Sequence, residues 1–200
     1  MPMQDAFVSR FGKPDPPTPG GVRFSGIGAQ MMWEEIEAGI GAGWFMNRFL
    51  YLFGTGLDAL NPCLEAWSFL LDGKKERVIV GRNAYGALLV MEEPSEKGMM
   101  SPVRVLDPLQ VQYWGDPNLD IGSLIGTWLP ENLIPGFLDT ALYDAAVKAA
   151  GIEMPLDEGL MIKEPLSMGG TMRADNFQVE DVVEYYRTTG PIYAKALKKK

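Results

Sequence analysis

Arg77-Val-Ile-Val-Gly-Arg-Asn-Ala-Tyr-Gly-Ala-Leu-Leu-Val-Met91 decides the fold. Two β-prone runs, 77–80 and 87–91, flank Asn83-Ala-Tyr-Gly86, and Asn and Gly at the ends of a short polar break signal a turn between strands. Downstream, Val103 to Leu106 and Val111 to Trp114 form a second such pair around Asp107-Pro108. Four strands joined by short turns predict an antiparallel sheet of about four or more strands, a common size. Helical patterns on either side make the fold class α+β, a central antiparallel sheet flanked by helices.

Upstream, Lys13-Pro-Asp-Pro-Pro-Thr-Pro-Gly-Gly21 holds four prolines and two glycines, a density no helix or central strand tolerates. It predicts a loop separating a short segment, Asp5 to Phe11, from the body. A helix is expected over Ala29–Ala38, with Met31, Met32 and Ile36 apolar and Glu34, Glu35 and Glu37 on a solvated face. Gly39, Gly41 and Gly43 end it; with no strand before them and no G-x-x-G after, they are not a dinucleotide fingerprint. Trp44 to Phe53 reads as buried, either helical or extended. Asn61 as N-cap and Pro62 in the first turn open an amphipathic helix through Leu64, Trp67, Leu70 and Leu71, closed at Gly73.

After the sheet, Asp116 and Pro117 predict a helix through Trp128, and another runs from Phe137 to Ala150, closed by Gly151. Leu160 to Ile162 is a short strand candidate. Asp175 is expected to cap a helix from Asn176 to about Thr188, which Gly190-Pro191 breaks before a short basic helix. Two units follow: residues 1–115 with the loop, helices and β-hairpin, and residues 116–200 as a helical C-terminal module packed on the first.

The chain of 200 residues has no histidine and one cysteine, Cys63. Ser-His-Asp and Cys-His nucleophile arrangements are thereby excluded, as are histidine-bearing and four-thiolate zinc sites. Cys63 near a helix start reads either as a thiol of lowered pKa or as a small buried apolar group. The paired acids, Glu92-Glu93, Asp157-Glu158, Glu180-Asp181, and Asp116 with Asp120, lack calcium-loop spacing. Adjacency on a strand points neighbours to opposite faces, so it does not by itself build an acid–base pair. Ser123 and Ser167 lie outside any G-x-S-x-G elbow, and Gly169-Gly170 reads as an anion nest or, more simply, a tight turn. No catalytic residue, metal site or cofactor is expected. The longest apolar stretches, such as 87–91, are too short to span a bilayer. The N-terminus lacks a basic region followed by an apolar run, and one cysteine makes no internal disulfide. A cytoplasmic protein is expected.

Net charge is −8, and four of the 18 basic residues are Lys195, Lys198, Lys199 and Lys200, behind all 26 acids. Such a body repels a phosphate backbone and attracts a basic protein. The plainer reading is a charged surface that keeps the protein in solution. Binding surfaces that join acids to aromatics are expected in two segments. In 113–131, Trp114 and Trp128 bracket Asp116, Asp120 and Glu131; in 180–186, Glu180, Asp181 and Glu184 precede Tyr186. Both tryptophans are alternatively core.

Leu64-Glu-Ala-Trp67 and Val78-Ile-Val-Gly-Arg-Asn-Ala-Tyr-Gly86 leading into Leu88-Leu89 resemble the GAD-like domain. Asp157-Glu-Gly-Leu-Met-Ile-Lys-Glu-Pro-Leu-Ser-Met-Gly-Gly170, followed by a helix, is similar to the C-terminal module joined to it. The resemblance runs from about Phe7 to Tyr186 and departs in the glycine-rich 26–43. It implies an immunity protein of a bacterial type VI secretion system, which binds a cognate effector, a DNase in several cases; the acidic charge makes the expected partner basic and no nucleic acid is expected to bind. It carries over no catalytic residues. The alternatives are a carboxylate-dependent hydrolase or lyase using Asp116, Asp120 or Glu131, and a generic acidic adaptor.

Overall fold

A computed structural model describes residues 3–22, 27–73, 75–92, 101–116, 118–150 and 154–198. The fold is α+β. Six strands pair in sequence order as an antiparallel meander: β1 (Gly43–Phe45), β2 (Leu50–Leu52), β3 (Arg77–Asn83), β4 (Leu88–Glu92), β5 (Val103–Asp107) and β6 (Gln112–Trp114). The helices are α1 (Met3–Phe11), α2 (Ile27–Ile40), α3 (Asn61–Ala66), α4 (Ile121–Ser123), α5 (Ala141–Ala150) and α6 (Val182–Leu197). A second sheet pairs β7 (Glu158–Ile162) with β8 (Phe177–Asp181).

The β3–β4 hairpin forms because Asn83 organises its turn twice over. Its Oδ1 accepts from the amides of Tyr85 and Ala87 at 3.1 and 3.0 Å, while Gly86 takes φ +76. Every residue of β4 is buried, so this strand is covered on both faces and needs no polar alternation. Tyr186 of α6 donates through its hydroxyl to the Gly86 carbonyl at 3.0 Å, and Tyr143 of α5 donates its amide to the Tyr85 hydroxyl at 3.2 Å. The edge-on aromatic contact of Phe49 with Tyr85, 5.3 Å between centroids, continues this core.

The stretch 44–53, left open between helix and strand, is the β1–β2 hairpin; Met46, Asn47 and Arg48 turn it with positive φ. The proline-rich loop lies along β1. The Asp15 amide donates to the Trp44 carbonyl at 2.7 Å and the Thr18 amide to the Ala42 carbonyl at 2.8 Å, which covers an edge otherwise open to another chain.

Three expected helix starts need correction. The α3 segment begins one residue earlier than expected, with Leu60 at the cap and Asn61 inside the helix, because a 3-10 turn over 57–60 feeds directly into it. The helix expected from Asp116 starts at Ile121: Asp120 is its N-cap in a capping box with Ser123, and 124–128 widen into a π turn. Pro117 and Gly151 lie outside the described residues. The helix placed from Phe137 begins at Ala141.

The last quarter differs most. Residues 177–181 are strand β8, so the C-terminal region carries a sheet as well as helices, and Asp181 rather than Asp175 caps α6 by accepting from the Glu184 amide at 2.7 Å. Helix α6 then runs unbroken through Gly190-Pro191. Gly190 suits close packing, since a Cβ there would stand 2.4 Å from the Ala66 carbonyl oxygen. The Thr188 and Thr189 hydroxyls donate to carbonyls one turn back, at 3.0 Å to Glu184 and 2.6 Å to Tyr185.

Candidate functional site

A cleft of about 330 Å³ opens beside β6 and gathers residues from several chain segments. Register explains its sheet wall. Val105 pairs with Trp114 and Asp107 with Gln112, so these four side chains share one face of the β5–β6 pair. The opposite wall is 134–139, which Asn83 holds by donating from Nδ2 to the Phe137 carbonyl at 2.9 Å. Leu166 and Met172 form the third side. The Leu166 amide donates to the Leu109 carbonyl at 2.7 Å, tying that loop to the β5–β6 turn. Gly169-Gly170 is a tight turn: a Cβ at Gly170 would fall 1.7 Å from the Glu164 carbonyl oxygen, and Asn176 Nδ2 donates to that same oxygen at 2.8 Å.

The floor is apolar, with Ala87, Val105, Leu109, Ile134 and Phe137, and among the described residues the only ionisable side chains that line it are Asp107 and Asp139. Asp107 Oδ1 accepts from the Leu109 amide at 2.8 Å, and Asp139 Oδ1 from the Ala141 amide at 3.1 Å. Burial raises the Asp107 pKa, against the opposing hydrogen bonds of Leu109, Gln110 and Gln112. The Trp114 indole N–H is buried and meets no acceptor among the described residues. An apolar pocket with a few converging polar groups is the usual form of a binding site.

Of the expected binding residues, only Trp114 lines this cleft. Asp116 accepts from the Asn118 amide at 2.8 Å, Asp120 caps α4, and Asp181 caps α6; all three acids organise backbone. Glu131 is exposed in a turn. Glu180, half-buried on β8, accepts from Gln178 Nε2 at 2.8 Å, and Glu184 is exposed on the first turn of α6. Asp107 and Asp139 were missed as partners. Both carried a signal: an Asp-Pro turn between strands, and an acid just ahead of a helix.

A second ionic cluster lies across β3 to β6. Glu92, 3% exposed, accepts from Arg77 Nε and from the Tyr113 hydroxyl, both at 2.9 Å, with Lys75 Nζ at 3.4 Å and Arg104 Nε at 3.8 Å. Burial alone would raise its pKa; the Tyr113 and Arg77 hydrogen bonds and the Lys75 charge outweigh it and hold the carboxyl below its usual range. Cys63 is fully buried, and burial, with Asp181 nearby, pushes its thiol up to about 12. Among the described residues, no group of three or more Cys, Asp or Glu side chains is placed to hold a metal, and no helix is long and apolar enough to cross a membrane.

No protein-family model matches the chain, and no curated protein matches it. Among solved structures, it is similar to the crystal structure of Atu4351 from Agrobacterium tumefaciens, with TM-score 0.58 and 14% identity over 93% of this chain and 87% of that one. At that identity the likeness establishes a shared fold, and it extends over nearly the whole of both chains.

Proposed function

We propose that this chain is an immunity protein of the bacterial cytoplasm. It binds one copy of a type VI secretion effector, a DNase, and neutralises it by protein–protein contact rather than by catalysis. The supporting observation is a concave site whose ionisable lining, among the described residues, is wholly acidic, set in a body that carries all 26 acids ahead of its four terminal lysines. A nuclease must present positive charge to the phosphates it cleaves, so its basic surface is complementary to such a face. The resemblance of Leu64–Trp67, 78–89 and 157–170 to GAD-like immunity proteins supports the same reading.

The test is co-expression with the nuclease encoded beside this chain's gene, followed by size-exclusion chromatography. A stable complex of one copy each is expected. Separate elution of two folded proteins, or the absence of any effector gene beside this one, contradicts the reading.

A further inference from the structure

We infer that the cleft between the β5–β6 face and residues 134–139 is an arginine receptor, taking a guanidinium presented on a peptide segment of a basic partner, with Asp107 and Asp139 as its counter-charges. The identity of the chain carrying that arginine rests on the immunity reading; the chemistry of the cleft does not.

Four observations converge. First, the cleft is a true concavity of about 330 Å³, at the lower end of ligand-pocket sizes, suited to one side chain rather than to a cofactor. Second, its ionisable lining among the described residues is acidic only, whereas two other clefts mix signs, one with Lys13, Asp15 and Arg48 and another with Asp58 and Arg77. Third, each carboxylate has its Oδ1 engaged by a backbone amide, to Leu109 and to Ala141, which fixes its orientation. Burial of Asp107 disfavours its charge, and a cation entering the cleft restores it. Fourth, the Trp114 indole N–H is a buried donor without an acceptor among the described residues. Trp114 lines the cleft, and a peptide segment, unlike a free cation, brings carbonyl acceptors to that wall.

Arginine fits better than lysine. Gln110 and Gln112 add amide groups beside the two acids, and a planar fork of five donors matches several acceptors at once, where an ammonium is a compact point charge. Met172, 38% exposed on the lining, offers apolar surface for the arginine stem.

The test uses the full chain labelled with 15N and the blocked tripeptide acetyl-Gly-Arg-Gly-amide as probe. Its controls are the same peptide with lysine and with citrulline, the neutral shape match of arginine. Trp114→Phe assigns the Trp114 indole N–H resonance. A saturable shift of that resonance with half-saturation on the order of 1 mM is expected for one anchoring side chain, weaker for lysine and absent for citrulline. Asp139→Asn keeps the oxygen that accepts from Ala141 and should weaken binding by about three- to tenfold. Asp107→Asn, which likewise keeps its turn oxygen, should do the same. No shift, an equal shift with citrulline, or full affinity in both Asn variants overturns the assignment. A negative titration beside intact nuclease inhibition removes the receptor and leaves the immunity reading standing. Saturable arginine binding without nuclease binding does the reverse.

Discussion

The indole N–H of Trp67 donates to the backbone carbonyl of Tyr186 at 3.1 Å, joining the end of α3 to the second turn of α6 across 119 residues of sequence. The two rings lie 4.6 Å apart, and Tyr193 closes edge-on against Trp67 at 5.6 Å. The contact fixes the C-terminal helix on the sheet, because Tyr186 in turn reaches the Gly86 carbonyl in the β3–β4 turn.

Gly190 is where this packing is least forgiving. Gly190→Ala sets a Cβ against the Ala66 carbonyl and should cost about 1–3 kcal/mol, the range for overpacking. Trp67→Phe removes the donor to Tyr186 and should cost at least about 1 kcal/mol. Thermal unfolding reads both, at about 2–4 °C per kcal/mol for a chain of this size. An unchanged midpoint for Gly190→Ala contradicts the close approach of α6 to α3.

Acid stability should separate two buried carboxylates. Glu92 sits below its unfolded value, so its contribution is fully present above the ordinary glutamate range and is lost as pH falls from there through the lower folded value. Asp107 sits above its unfolded value, so the folded state holds its proton more tightly and its contribution improves as pH falls. Glu92→Gln should therefore lower stability at pH 7 by about 1–3 kcal/mol and flatten the acid limb. The figure lies under the fully buried limit because the Lys75 and Arg104 side chains are 33% and 28% exposed. Asp107→Asn should steepen the same limb. Urea unfolding between pH 3 and pH 7 checks both signs.

The hairpin at 77–91 was legible because turn chemistry and strand propensity agree there: Asn83 and Gly86 make the turn, and the flanking runs pair as written. The β1–β2 turn was not, since Met46, Asn47 and Arg48 adopt positive φ without a glycine among them. Asp175-Asn176 has the composition of a helix cap, yet Phe177-Gln-Val-Glu-Asp181 pairs with β7 and the cap falls six residues later at Asp181. Gly190-Pro191 reads as a break locally and is overruled by tertiary packing on α3. The cleft was legible only through Trp114. Asp107 and Asp139 are 32 positions apart and line one cleft because Asn83 anchors the 134–139 wall.

Cys63 should be inert. A thiol held near 12 by burial yields almost no thiolate at neutral pH. Native protein at pH 8 should react with a disulfide reagent such as DTNB only as fast as it unfolds, and should release one thiol per chain in guanidinium. Fast stoichiometric labelling of the native protein contradicts the packing around α3.

Steering by the acids of the two expected segments should be visible in association kinetics. Neutralising Glu131, Glu180 and Glu184 together as glutamines leaves the caps of α4 and α6 intact. It should slow association with the effector several-fold at low salt and reduce its salt dependence. Asp116→Asn with Asp120→Asn keeps the capping oxygens and isolates the charge in the other expected segment. Rates equal to wild type in both variants would place the interface elsewhere.

The central claim is that this chain silences a nuclease by binding it one to one. The most direct measurement titrates it into the DNase encoded beside its gene while DNA cleavage is followed. Activity should fall in proportion to added protein and vanish at one equivalent, with the Asp107→Asn, Asp139→Asn double variant needing a clear excess. Undiminished cleavage in the presence of excess folded protein would contradict the account.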